Sequence, residues 1–273
     1  MTDHFPDHAA WQRCGEVCDT MIAMGLHQGN NVNAETPFFL AQMRKKIFVS
    51  AYGHDKLVAT FLGRPPRLSH RYCRMEVPLD LSDEQLFLEG AELEAAIAQL
   101  DSNGWNTTGT INRTTWRRAW FEYCRIREDI LEIALGTGED DISHQVSQIR
   151  MKLDRLYNSN PEFMRLTPEQ VLGSSENYLK FASSWKQSEM TMRQVNAIFT
   201  VMIQVGIIHT EWLLQRALIN RKRADSKDLI PISKRMLAIT LLSYAKRDYF
   251  RDFQGDVGYA VNTTCVPSVI IHY

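Results

Sequence analysis

Cys14 and Cys18 lie four residues apart in WQRCGEVCDT. On a helix that spacing puts both on one face, as two thiolate ligands of a metal would require. A four-coordinate structural metal needs two more Cys or His ligands. No His or Cys pair elsewhere supplies them, so small buried thiols are the better reading. His209 stands beside Glu211 and Trp212 in an apolar stretch. An imidazole there can touch a ligand or sit hydrogen-bonded in a core, and the core is expected. Arg221-Lys-Arg223 has the composition of part of a nuclear import signal, but reads first as cations complementing a helix end.

Glu139-Asp140-Asp141 is similar to the aspartate-rich magnesium site of helical terpenoid synthases. That site needs a further carboxylate one turn on, and position 144 here is His144. Acidic residues stabilising a helix N-terminus are the expected role. The sequence contains no GxGxxG, Walker loop, GxSxG or HExxH, so the common nucleotide, hydrolase and metalloprotease motifs are absent.

The 273 residues are 44% hydrophobic and 23% charged, with a formal net charge of -1. That is globular composition, and its neutrality argues against broad nucleic-acid binding, which needs a basic surface. The 5 cysteines (Cys14, Cys18, Cys73, Cys124 and Cys265) form no Cys-x-x-Cys pair and read as reduced thiols. The N-terminus, MTDHFPDHAAWQRCGE, lacks the apolar core of a signal peptide. The most apolar window, Val195 to Leu218, is interrupted by Asn196, Gln204, His209, Glu211, Gln215 and Arg216. It is expected to be a buried helix rather than a bilayer span.

The spacing predicts helices over Trp11–Met24, Glu35–Leu62, Ser82–Leu100, Thr114–Leu135, Ile142–Leu156, Met190–Asn220 and Ile232–Phe250. Ser82-Asp-Glu-Gln85 and Thr167-Pro-Glu-Gln170 are capping signatures. His70–Leu81 and Asp101–Asn112 read as connectors, and Asp256–Tyr273 as a looser tail. The expected fold is all-α, one multi-helix domain over 1–273 built around the long helix Met190–Asn220. The sharpest punctuation is Leu62-Gly-Arg-Pro-Pro66. Gly63 can take the left-handed conformation that closes a helix, while Pro65 and Pro66 forbid its continuation.

Around that stop lies an ordered set of residues: Ala23-Met-Gly-Leu-His27, Glu35, Met43-Arg-Lys-Lys-Ile-Phe48, Tyr52, Asp55, Lys56, Leu62-Gly-Arg-Pro-Pro66 and Val77-Pro78. It resembles the signature of the fungal-specific transcription factor domain, the middle homology region of fungal zinc-cluster regulators. His209–Ile219 is similar to that family's long central helix, and Asp252–Val269 with Pro267 to its C-terminal segment. Arg44-Lys-Lys46 and Ile47-Phe48 replace the usual arginines and tryptophans, which is expected to loosen a packing layer.

The resemblance implies scaffold roles for His27, Asp55, Gly63, Arg64, Pro65 and Pro78, with Arg64 returning its guanidinium to a carboxylate or to helix-end carbonyls. It implies a regulatory domain in the nucleus, or in cytoplasm and nucleus. The partners it implies are coactivator or repressor proteins, a small-molecule effector, a second copy as a homodimer, and no membrane. Zinc and DNA contacts belong to a six-cysteine module that these residues lack. The chain is thus expected to be a fragment downstream of that module, or a relative without one. The competing readings are a metal-dependent terpenoid-synthase-like enzyme and a ligand-free interaction scaffold. An effector is expected on the long helix, where Phe199, Met202, Val205, His209 and Trp212 share roughly one face and mix adaptable with polar side chains.

Overall fold

The computed structural model describes residues 6–29, 36–74, 76–137, 141–165, 167, 170, 187–246, 250 and 255. Its helices are α1 (Pro6–Ala23), α2 (Phe38–Leu62), α3 (Gly90–Ala98), α4 (Arg113–Leu135), α5 (Ile142–Ser159), α6 (Gln187–Asn220) and α7 (Leu229–Ala245). Among the described residues β-pairing is limited to isolated bridges, Gln28 with Arg74 and Leu100 with Asn106. The all-α expectation holds.

The ends follow local chemistry. Gly63 closes α2 at φ 61°, its N–H donating to the Ala59 carbonyl, which also accepts from Arg64 N at 3.0 Å. That is a left-handed cap satisfying a helix-end carbonyl. At the start of α4 the cap is Asn112, ahead of the expected Thr114 or Thr115. Its side chain accepts from both of their backbone N–H groups, while the Thr115 hydroxyl accepts from Asn112 N. The reciprocal bonds expected at Thr167 and Gln170 are present at 2.7 and 3.2 Å.

The helix expected over Ser82–Leu100 is broken. Ser82 and Gln85 do form their reciprocal bonds, at 2.9 and 3.2 Å, but only a 3-10 turn over Gln85–Phe87 follows before Leu88 turns extended. The chain resumes as α3 at Gly90, whose φ is 55°. Local capping starts a turn, and the burial of Leu86 beside Leu81, with Leu88 packed on the same cluster, sends the chain elsewhere.

Packing runs from α1 onto α2, α2 onto α4, α4 onto α5 and α6, and α6 onto α7. The long α6 therefore shares the centre with α4. One core cluster joins α4, α5, α6 and α7 through residues such as Ile130, Ile149, Ile208 and Met236. A second joins α1, α2 and α4 through Cys18, Phe48, Tyr52 and Phe121. Gln194–Asn220 is long and apolar enough to cross a membrane, but 72% of its most apolar window is buried, as a core helix requires.

Candidate functional site

The residues of the signature assemble around a buried charge cluster. Asp55 on α2 is fully buried. Its carboxylate accepts from the backbone N–H groups of Arg67 and Leu68 at 3.0 and 2.9 Å and from Lys56 Nζ at 2.9 Å. Lys56, equally buried, also donates to the Leu68 carbonyl, lies 3.4 Å from Glu128 Oε2 and sits over the Tyr52 ring at 3.9 Å. Glu128, on α4, accepts from the Tyr52 hydroxyl and from His70 N at 3.2 Å. Burial raises its pKa, but Lys56 and the bonds from Ser69 and Tyr52 outweigh burial and hold the carboxyl below its ordinary value.

The purpose of the proline stop is now visible. The segment after Pro66 must fold back at once so that Arg67, Leu68 and His70 can satisfy Asp55 and Glu128, and buried carboxylates need such donors. Arg64 plays a smaller part than expected. Its guanidinium stands 5.3 Å from the Trp11 ring. Arg67 is the clamp on α1, over that ring at 3.7 Å and donating to the Trp11 carbonyl at 3.0 Å.

His27 holds the other end of the connector, its carbonyl accepting from Arg74 N at 2.9 Å while Gly29 N donates to Arg74 O at 3.0 Å. A Cβ on Gly29 would meet that oxygen at 2.5 Å. Pro78 is buried, and its carbonyl accepts from Arg118 on α4. Sequence reading missed Arg67, Glu128 and Asp80. The fully buried Asp80 accepts from Asn106 N at 3.2 Å and from the Thr115 hydroxyl at 2.7 Å.

Donor atoms of Cys14, Cys18 and Asp55 lie within 4.8 Å of one another. The Asp55 oxygens are already spent on N–H donors, and Lys56 brings a positive charge beside them. The thiols therefore fit a packing role. The Cys18 thiol donates toward Cys14 and holds it below the ordinary thiol value. Asp141 caps α5 by accepting from His144 N at 3.1 Å, the helix-start role expected of it; Glu139 and Asp140 lie outside the described residues. Arg221 donates from Nε to Ile133 O at 2.9 Å and from its guanidinium to Gly136 O, closing the end of α4.

The face expected to meet an effector is packed as core. Trp212 is fully buried and His209 nearly so, with their rings stacked at 6.1 Å. Val205 is buried with them, Met202 packs against the same cluster, and Phe199 stacks on Trp116 at 5.9 Å. His209 Nε2 and Trp212 Nε1 are buried without a hydrogen-bond partner among the described residues. Burial, with Arg127 and Arg216 nearby, pushes the His209 pKa well below its ordinary value, so the ring is neutral.

A cleft of about 720 Å³ lies instead where α1 and α2 meet the 3-10 turn and α4, and none of those five residues lines it. Val17, Met21, Met43, Ile47, Leu86 and Phe87 form its apolar walls. Of the pair that replaces the family's tryptophans, Phe48 is fully buried and keeps its packing layer, while Ile47 is 45% exposed and opens onto the cleft. A smaller cavity of about 350 Å³ beside α5 is lined by His70, Glu122, Arg125, Asp129 and Lys152 among others, and the Lys152–Asp129 ion pair at 2.6 Å belongs to it.

The bundle is thus held by a buried ion cluster at the proline stop, with an apolar cleft beside it. The family model of the fungal-specific transcription factor domain matches residues 8–198, and the chain belongs to that family. Neither a search of characterised proteins nor one of solved structures finds a match.

Proposed function

We propose that this chain is the regulatory domain of a fungal transcription factor, that it responds to a small-molecule effector, and that it has no catalytic activity of its own. The match over residues 8–198 is the observation that carries this reading. The α1–α2 cleft supports the effector, since its volume of about 720 Å³ falls within the usual range of small-molecule sites. On this reading the protein acts in the nucleus, meets coactivators or corepressors through its surface, and leaves zinc and DNA contacts to the six-cysteine module typical of the family.

The test is a reporter experiment. The 273 residues are fused to a heterologous DNA-binding module and an activation region in a fungal host. Reporter output should differ several-fold from that of the same fusion lacking them. Output that never differs, across growth conditions, overturns the regulatory reading. A thermal-shift screen on the purified chain separates an effector-binding domain from a ligand-free scaffold, because a ligand that binds only the folded state raises the melting temperature.

A further inference from the structure

The polar groups around the α1–α2 cleft are of two kinds. Most are already occupied. Lys46 is buried and paired with Asp83 at 2.7 Å. The Ser50 hydroxyl donates to the Lys46 carbonyl at 2.9 Å. His54 Nδ1 lies 2.9 Å from the Ser50 carbonyl, which fixes that nitrogen as the donor, and its ring meets Trp120 edge-on at 5.5 Å.

Arg13 on α1 and Arg117 on α4 differ. Both line the cleft, and among the described residues no hydrogen bond or ion pair engages either guanidinium. Arg117 is half-buried, so burial works against its charge and only Asp83, already taken by Lys46, offsets this at longer range. A half-buried guanidinium without an acceptor beside an apolar wall is an incomplete interaction. Completing it needs an anion, and the walls need an apolar body.

We infer that the cleft binds an amphiphilic small molecule with an apolar body and a single anionic head, such as a carboxylate or sulfonate, and that Arg13 and Arg117 receive the head. The body lies along Val17, Met43, Ile47 and Phe87. Met21 and Met43 on the walls adapt to bodies of different shape. Charge-assisted pairing at a partly desolvated guanidinium is stronger than a neutral hydrogen bond, so the head sets affinity while the walls tolerate variety. The inference deepens the effector reading above and rests on it for its biological meaning.

Two dyes with the same fused rings test it on the full chain. 1-Anilinonaphthalene-8-sulfonate carries the anionic head, and N-phenyl-1-naphthylamine lacks it. The anionic dye should bind at one site per chain, at least about tenfold more tightly than the neutral one, and dodecanoate should displace it. Arg13→Gln with Arg117→Gln should erase that tenfold preference and leave the neutral dye's affinity unchanged. Arg13→Lys with Arg117→Lys should retain part of it. Ile47→Glu should abolish binding of both dyes while the melting temperature stays within a few degrees of the parent's.

Equal affinity for the two dyes overturns the inference, as does a double Gln variant that binds the sulfonate like the parent. Absence of saturable binding overturns it too, including the case where sedimentation shows the cleft covered by a second copy of the chain. Dye binding with a silent reporter would sink the regulatory reading and leave the anion site standing; a responsive reporter without dye binding would do the reverse.

Discussion

The ammonium of Lys56 lies 3.4 Å from the carboxylate of Glu128, and both side chains are buried. This ion pair joins α2 to α4 at the point where the chain folds back after Pro66, and with Asp55 it anchors the connector that the proline stop creates. Removing one member of such a cluster leaves an uncompensated charge in a medium of low polarity.

Asp55→Ala should therefore destabilise the fold by about 3–5 kcal/mol, the range for a buried pair broken on one side. Urea denaturation monitored by tryptophan fluorescence gives the value. A variant as stable as the parent, with altered regulation, would mean that Asp55 is a functional residue rather than scaffold. Lys56→Met with Glu128→Gln should cost less than the sum of the two single changes, because the groups share partners.

His209 predicts a pH dependence. Its folded pKa lies below its unfolded value, for which about 6.5 is ordinary. The stability it confers is fully present above pH 6.5 or so. As pH falls below that, the unfolded chain takes up a proton that the folded chain refuses, and stability declines by up to about 1.4 kcal/mol per pH unit. Glu128, with its lowered pKa, adds a separate loss only below about pH 4.5. His209→Leu should flatten the slope between pH 6.5 and 5, and at neutral pH should cost little, since it removes a buried polar atom that has no partner among the described residues. An unchanged slope in that variant would refute the assignment.

Gly53→Ala should destabilise, although alanine is the better helix former by about 1 kcal/mol. A Cβ at position 53 would meet Trp120 Cζ3 at 2.7 Å, and overpacking a core costs about 1–3 kcal/mol. Thermal melting decides between these opposed terms. A rise in melting temperature would show that Trp120 can move aside.

These residues alone should bind DNA weakly and without sequence preference. Their formal net charge of -1 gives little of the electrostatic footprint that phosphate contacts require. Sub-micromolar, sequence-selective binding by the isolated chain at physiological salt, read by fluorescence anisotropy, would contradict this.

The sequence by itself determined the all-helical class, the stop at Gly63-Arg-Pro-Pro66 and the capping boxes at Ser82 and Thr167. Each of these depends on residues within one or two turns of one another: period, glycine, proline, a hydroxyl three residues before a glutamine. The order of the signature also carried the family. Partner choice across the fold was another matter. The chain reversal at Pro65 was legible, but that Arg67 rather than Arg64 clamps α1, and that Glu128, 58 residues beyond His70, closes the charge cluster, follows from how α2 and α4 meet. The cleft is similarly tertiary. Ile47 and Arg117 are ordinary residues of two amphipathic helices, and no local spacing records that one is left partly exposed and the other without an acceptor among the described residues. The long helix shows the same limit. Methionine, imidazole and indole on one face suit a ligand site or a core equally well, and only the packing of α4 and α7 against α6 chose the core.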